Sequence, residues 1–328
     1  MTRPAVPDAA QAAVPRFASV LEHPDFRVEL DRFCVTEWGW GTPRAVRVHP
    51  LKWHRERCTF EVSVETETGW HAAIGKVYET DQPAVFPAME AIRQAGFGGD
   101  TGCSIPRPLA YLPSWRVLLE EKVAGSSTKD ILLHGSPEQR IAAAARCGEW
   151  LARFHAAAPR RGRATDPRGE LSRFRQWADS VGRFGEPFTT KSEQLFRKLE
   201  RAVPALDDVA CCAGHGSYMP EHVLLSGDRT VVIDLDECDV ADPGRDLAWF
   251  VVSLQRLALV HFGSLQALDP AAERFLAAYG ATGRAVSRHT SFYRAVECLH
   301  RARRDLVKRA PPVPQWADVM LDAGLGAF

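Results

Sequence analysis

The chain has no excess of either charge: Lys+Arg and Asp+Glu number 41 each among 328 residues. That balance argues against a dedicated nucleic-acid binder, whose phosphate-facing surface needs a basic surplus. No stretch approaches the ~18 consecutive apolar residues that a membrane-spanning helix requires. The N-terminal segment MTRPAVPDAAQAAVPRF lacks the apolar core of a secretory signal. The eight cysteines (Cys34, Cys58, Cys103, Cys147, Cys211, Cys212, Cys238 and Cys298) form no C-x-x-C pair. Scattered thiols of this kind are expected in a reducing compartment, mostly as small core fillers, with a Cys211–Cys212 redox pair the lesser reading. There is no internal repeat, and the nearest approach to low complexity is PRRGRATDPRG, Pro159 to Gly169. These absences predict a cytoplasmic protein with neither a nucleic-acid nor a membrane partner.

What is present is enough apolar material for one large domain or two lobes, at 45% hydrophobic residues. Residues 1–40 are rich in Pro and Ala with weak periodicity, which predicts a loose arm with at most one short helix. Residues 41–120 read as a strand-rich lobe. In CTFEVSVE, Cys58, Phe60, Val62 and Val64 alternate with polar residues, the period of a half-buried antiparallel strand. AVRVHPL precedes it and WHAAIGKVYE follows a Gly-containing turn, so a three-strand meander is expected. A helix over AVFPAMEAIRQAGF, closed by Gly96, and two short strands within RPLAYLPSWRVLLEE complete this lobe.

Residues 121–328 read as a helical lobe. SPEQRIAAAARCGEWLARFHAAA begins with Ser136 as N-cap, Pro137 in the first turn and Gln139 closing a capping box. Its apolar face is expected to hold Ile141, Ala144, Gly148, Leu151 and His155. Later helices are expected around Asp246–Phe262 and 285–309.

Some residues stand out chemically. Lys76 lies on an apolar strand beside Ala72 and Ile74, where an inward ammonium needs an anion, the alternative being a snorkelling edge lysine. Glu121 to Val123 falls at the connector between the lobes, where extended backbone could read a base edge. TVVIDLDE reads as a strand ending in Asp234 and Asp236. Two residues apart on a strand, they point the same way, and a divalent cation would relieve their repulsion; a solvated acidic turn is the alternative. Arg160, Arg161, Arg163 and Arg168 make a basic segment of unassigned role, which disfavours a polycationic substrate if it lines an acceptor site.

The ordered set resembles the aminoglycoside phosphotransferase/choline-kinase-like family, a small-molecule branch of the protein-kinase fold. The residues that carry the likeness are His215-Gly216, Ile233-Asp234-Leu235-Asp236 and Asp242-Pro243-Gly244-Arg245-Asp246-Leu247-Ala248. LARFH (Leu151 to His155) and ERFLAAYG support it. The resemblance implies an α+β, two-lobed kinase-like fold with a small antiparallel-sheet N-lobe and a larger helical C-lobe. It further implies ATP as nucleotide, with Mg2+ or Mn2+. Lys76 would meet the phosphates, oriented by Glu90 from the following helix, and Glu121 and Val123 would hold the base. Asp234, with Asp236 and His222, would hold the metal, and His215 and Asp246 would brace the loop.

The chain also departs from that pattern. Ser217 stands where the family has a catalytic Asp, and His222 where it has a metal-binding Asn. Lys52, Arg55 and Arg57 occupy the turn where a glycine would cover the phosphates. A serine carries no charge and is no base at neutral pH, and no base for Ser217 itself is identifiable; Glu221 and Asp239 are sequence neighbours of the site. Imidazole suits Mn2+ or Zn2+ better than Mg2+. Two readings follow. One is a phosphotransferase that moves the γ-phosphoryl group of ATP to a hydroxyl of an unknown small molecule. The other is a pseudokinase, a nucleotide or ligand sensor or a scaffold for a protein partner.

Overall fold

The computed structural model describes residues 14–54, 56–99, 102–206, 210–281 and 289–328. The chain divides into two compact units, residues 1–98 with 105–124, and residues 99–104 with 125–328. The first is an antiparallel-sheet lobe and the second a larger helical lobe.

The first unit opens with α1 (Val14–Leu21) and α2 (Pro24–Thr36), where a loose arm with at most one short helix was expected. The reason is packing. Phe17, Phe26, Leu30 and Cys34 join one buried cluster with Cys58, Phe60, Val62 and Val64. Those last four come from β2 (Arg57–Thr66), whose strict in–out burial matches its alternating sequence. With β1 (Ala45–Trp53), β3 (Gly69–Tyr78), β5 (Pro108–Leu112) and β6 (Val117–Glu121) it forms a sheet of order β1-β2-β3-β6-β5. Gly75 is required in β3: a Cβ there would lie 2.1 Å from the Phe60 ring. Helix α3 (Val85–Ile92) follows β3 and buries Val85, Met89 and Ile92. Arg55 of the basic turn lies outside the described residues, while Lys52 and Arg57 fall on the β1–β2 hairpin.

Residues 99–104 depart from the expected contiguous lobe because β4 (Gly102–Ser104) pairs in parallel with β10 (Arg229–Val232) of the second unit. There the sheet order is β4-β10-β9-β7, with β7 (Ser126–Ser127) and β9 (Val223–Ser226). The helices are α4 (Thr128–His134), α5 (Pro137–Ala157), α6 (Pro167–Gly182), α7 (Phe188–Ala202), α8 (Pro243–Phe262), α9 (Asp269–Ala281), α10 (Thr290–Arg303) and α11 (Pro314–Leu325). The α5 capping box forms as its sequence requires. Its buried face holds Ala144, Gly148, Leu151 and His155, but Ile141 is exposed. Gly148 permits the crossing with α9: a Cβ would stand 2.3 Å from the Phe275 carbonyl oxygen. Phe174, Leu195, Val252, Phe292 and Met320 tie α6, α7, α8, α10 and α11 into one core. The remaining pair, β8 (Cys212–Gly214) and β11 (Asp239–Ala241), is antiparallel and frames the His215 loop. All eight cysteines are unpaired thiols. Among the described residues no helix is long and apolar enough to cross a membrane.

Candidate functional site

In the first unit Lys76 is 4% exposed on β3, as an inward lysine must be. Its Nζ lies 3.8 Å from Glu120 Oε1. Glu120 sits on the adjacent strand, with Ile74 opposite it in the register. The expected partner, Glu90, is instead exposed. The face that α3 buries runs through Val85, Met89 and Ile92, which turns position 90 away from the sheet. The connector also differs from expectation. The Glu121 N–H donates to the Arg107 carbonyl at 2.8 Å, and its carboxylate accepts from the Arg107 N–H at 2.9 Å. That amide is therefore committed to a local ladder rather than presented to a base edge. Val123 lies just past β6, half-buried and outside any strand.

In the second unit β8 delivers the His215-Gly216-Ser217 loop. Gly216 takes a positive φ of 84°, and a Cβ there would lie 2.4 Å from the Glu237 carbonyl oxygen. The next residue anchors the loop. Tyr218 is fully buried, stacks on Trp150 and donates to the Cys147 carbonyl at 2.8 Å. Sequence reasoning misses Tyr218; an aromatic directly after a loop motif is the available signal.

Asp246, at the start of α8, is 1% exposed. Its carboxylate accepts from the His215 N–H at 2.7 Å, the Gly216 N–H at 3.1 Å and His155 Nε2 at 3.2 Å. With Nε2 donating, His155 Nδ1 is left to accept from the Tyr279 hydroxyl at 3.0 Å. Burial alone would raise the Asp246 pKa. The His155 hydrogen bond and the Arg245 charge outweigh it and hold the carboxyl well below the usual range. His215 closes the loop on the sheet: its Nδ1 accepts from the Ser217 N–H at 3.4 Å and its Nε2 faces the Ile233 carbonyl at 3.1 Å. Asp246 and His215 thus stand together as loop supports.

Ser217 is buried at 7% exposure, and its hydroxyl has no hydrogen-bond partner among the described residues. Its carbonyl faces His222 Nδ1 at 3.0 Å. Burial pulls the His222 pKa down, against the opposing pull of Asp234. A neutral ring that donates from Nδ1 keeps its lone pair on Nε2. That nitrogen lies 3.4 Å from Asp234 Oδ2.

The strand expected to run through Glu237 stops at Val232. Asp234 adopts the left-handed region (φ 66°, ψ 53°), and Leu235–Glu237 turn as a 3-10 segment. Strand alternation therefore does not relate Asp234 to Asp236, which is half-buried in that turn. Glu221 is exposed, and Asp239 is held bidentately by Arg245 at 2.5 and 2.6 Å. Neither stands as a ready base for Ser217.

The donors His222 Nε2 and Asp234 Oδ2 fit a divalent cation of the Mn2+ type better than one that wants oxygen alone. Among the described residues no cluster of three or more His, Cys, Asp or Glu side chains could hold a metal by itself. Any such ion would need ligands from a bound molecule.

With this geometry in view, the model of the phosphotransferase enzyme family matches residues 26–290. The chain belongs to that family. No curated protein sequence matches it. Among solved structures, the chain is similar to a candidate aminoglycoside phosphotransferase from Ralstonia eutropha JMP134, at TM-score 0.65 and 16% identity, over 91% of this chain and 96% of that one. A glucosamine kinase aligns at TM-score 0.62 and 18% identity, over 89% and 79%. A thermostable mutant of aminoglycoside phosphotransferase APH(4)-Ia, in ternary complex with ADP and hygromycin B, aligns at TM-score 0.60 and 16% identity, over 90% and 98%. At such identities the likeness extends to the kinase-like fold, and the chemistry rests on this chain's own residues.

Proposed function

We propose that the protein is an ATP-dependent phosphotransferase for a hydroxyl of a small molecule, working without a carboxylate base. The observation that carries this reading is Asp234. A non-glycine residue held at φ 66° costs free energy, and such strain clusters at functional sites. Here it sets a carboxylate 3.4 Å from an imidazole nitrogen, at the position the family uses for its metal. Lys76 is assigned to the nucleotide phosphates, balanced by Glu120 instead of Glu90. Asp234 and His222 are assigned to Mg2+ or Mn2+, with Asp236 as an auxiliary ligand, and Val123 to the nucleotide base. When bound, the cation would neutralise phosphate charge. Asp246 and His155 hold the loop backbone so that Ser217 faces the acceptor hydroxyl as a neutral hydrogen-bonding group. Phosphoryl transfer depends chiefly on positioning and charge stabilisation, so loss of the base costs ~10²–10⁴-fold rather than everything.

Nucleotide binding by relatives supports the ATP assignment: the APH(4)-Ia mutant is complexed with ADP in one structure and with AMP-PNP in another. The test is thermal stability with ATP and Mg2+ or Mn2+. Saturation at ~100 times the dissociation constant adds ~2.7 kcal/mol, and no shift with any purine nucleotide would remove the reading. The pairing of an unpartnered Ser217 with His222 favours a second reading, a nucleotide-sensing pseudokinase. It predicts the same thermal shift with no product from any hydroxylated acceptor.

A further inference from the structure

A cleft of about 550 Å³ lies in the second unit, lined by no residue of the His215 loop and within the usual size of a small-molecule site. Ile131, Ala142, Ala143 and Leu225 give it an apolar wall, and Arg146 and Asp130 add one charge of each sign. Arg146 comes from α5. Its Nε donates to Thr230 Oγ1 at 3.0 Å and its Nη1 to the Gly227 carbonyl at 2.8 Å. Its Nη2 is buried without a hydrogen-bond partner among the described residues. A guanidinium N–H shut away from water and left unbonded is costly. Asp130, at the start of α4, accepts from the Ser127 hydroxyl at 2.7 Å. Among the described residues Arg146 and Asp130 pair neither with each other nor with any other charge. The cleft therefore presents an unneutralised cation and anion beside an apolar wall.

We propose that this cleft binds a free amino acid with an apolar side chain. The carboxylate meets the Arg146 guanidinium, the ammonium faces Asp130, and the side chain lies on Ile131, Ala142 and Leu225. A simple carboxylate would satisfy only half of this arrangement, and so would a simple amine. The site has a path to the reacting groups. Arg146 grips the tip of the β9–β10 hairpin at Gly227 and Thr230. The root of the same hairpin carries His222, whose carbonyl accepts from the Ile233 N–H at 2.9 Å, next to Asp234. An occupant that engages Arg146 biases the hairpin that holds both.

The test is calorimetric titration of the full chain, without nucleotide, using L-leucine, 4-methylpentanoate and isopentylamine as probes. Leucine is expected to bind, and each half-ligand to bind at least ~10-fold more weakly. Arg146→Gln should weaken leucine ~10–100-fold, the range for a hydrogen bond to a charged group. Because that variant also loosens the hairpin, Ala142→Phe gives an independent check. Position 142 is exposed at the cleft wall, and a phenyl ring there should abolish leucine binding while the protein stays folded. Absence of leucine binding, or leucine binding that survives Ala142→Phe, overturns the site. Equal affinity for 4-methylpentanoate and leucine overturns the amino-acid assignment. Since no nucleotide is present, these outcomes are independent of whether the protein binds ATP.

Discussion

Each unit buries a charge, and each handles it differently. In the first, Lys76 and Glu120 face each other at 3.8 Å from neighbouring strands, an ion pair beyond hydrogen-bond length. In the second, Asp246 receives backbone and imidazole hydrogen bonds between 2.7 and 3.2 Å. A carboxylate satisfied by backbone N–H groups fixes the path of a loop. A side chain balanced by another side chain fixes only an orientation, set by strand register. The Asp246 arrangement therefore fixes backbone, and the Lys76 arrangement fixes only where a buried ammonium points.

That contrast can be broken most forcefully at Asp246. Asp246→Ala strands His155 and two loop N–H groups, and should cost about 3–5 kcal/mol in urea denaturation. A loss under ~1 kcal/mol would mean the loop is held by other contacts. The same carboxylate gives a pH signature. Its folded pKa is depressed, so its stabilisation is complete above the unfolded value of ~3.9. As pH falls through that value toward the lower folded pKa, the unfolded state takes up the proton first and stability declines. Denaturation midpoints at pH 7 and pH 4 should separate more for the natural protein than for Asp246→Asn.

Next in size is the reacting loop. Ser217→Asp with His222→Asn restores a carboxylate and an oxygen ligand, and should raise Mg2+-dependent ATP hydrolysis by about 10²-fold. The residues act on one assembly, so the single variants should not add. A double variant that binds ATP yet hydrolyses it no faster would show that the site has diverged beyond these positions. Fast hydrolysis by the natural protein, stopped by Ser217→Ala, would instead give the serine a direct catalytic role.

The first unit offers the smaller effects. Glu120→Ala should destabilise by about 1–3 kcal/mol, the range for leaving a buried polar group unsatisfied, because it strips a buried ammonium of a counter-charge. Glu90→Ala, at an exposed helix position, should stay within ~0.5 kcal/mol. If the two variants shift the thermal midpoint equally, the pairing of Lys76 with Glu120 is not what balances the lysine.

The sequence was most legible where structure is local. The alternation in β2 and the capping box of α5 appear as read, because each follows from residues within four positions of one another. Lys76 was legible as a buried charge, since its apolar strand already implies the cost of placing it there, whereas Asp246 was legible only through the resemblance. Residues 14–36 were harder. The weak amphipathic pattern of α2 hid that its Phe26, Leu30 and Cys34 meet β2.

The sequence by itself determined a two-lobed, kinase-like member of the phosphotransferase enzyme family with a Ser217 loop, because strand period, helix caps and motif order are short-range properties of the chain. Only the tertiary structure decided that Glu120 and not Glu90 meets Lys76, since that contact depends on the β3–β6 register across 44 residues of sequence. It alone ended β10 at Val232 and turned Asp234 left-handed toward His222, because a backbone conformation that costs energy locally must be imposed by surrounding contacts.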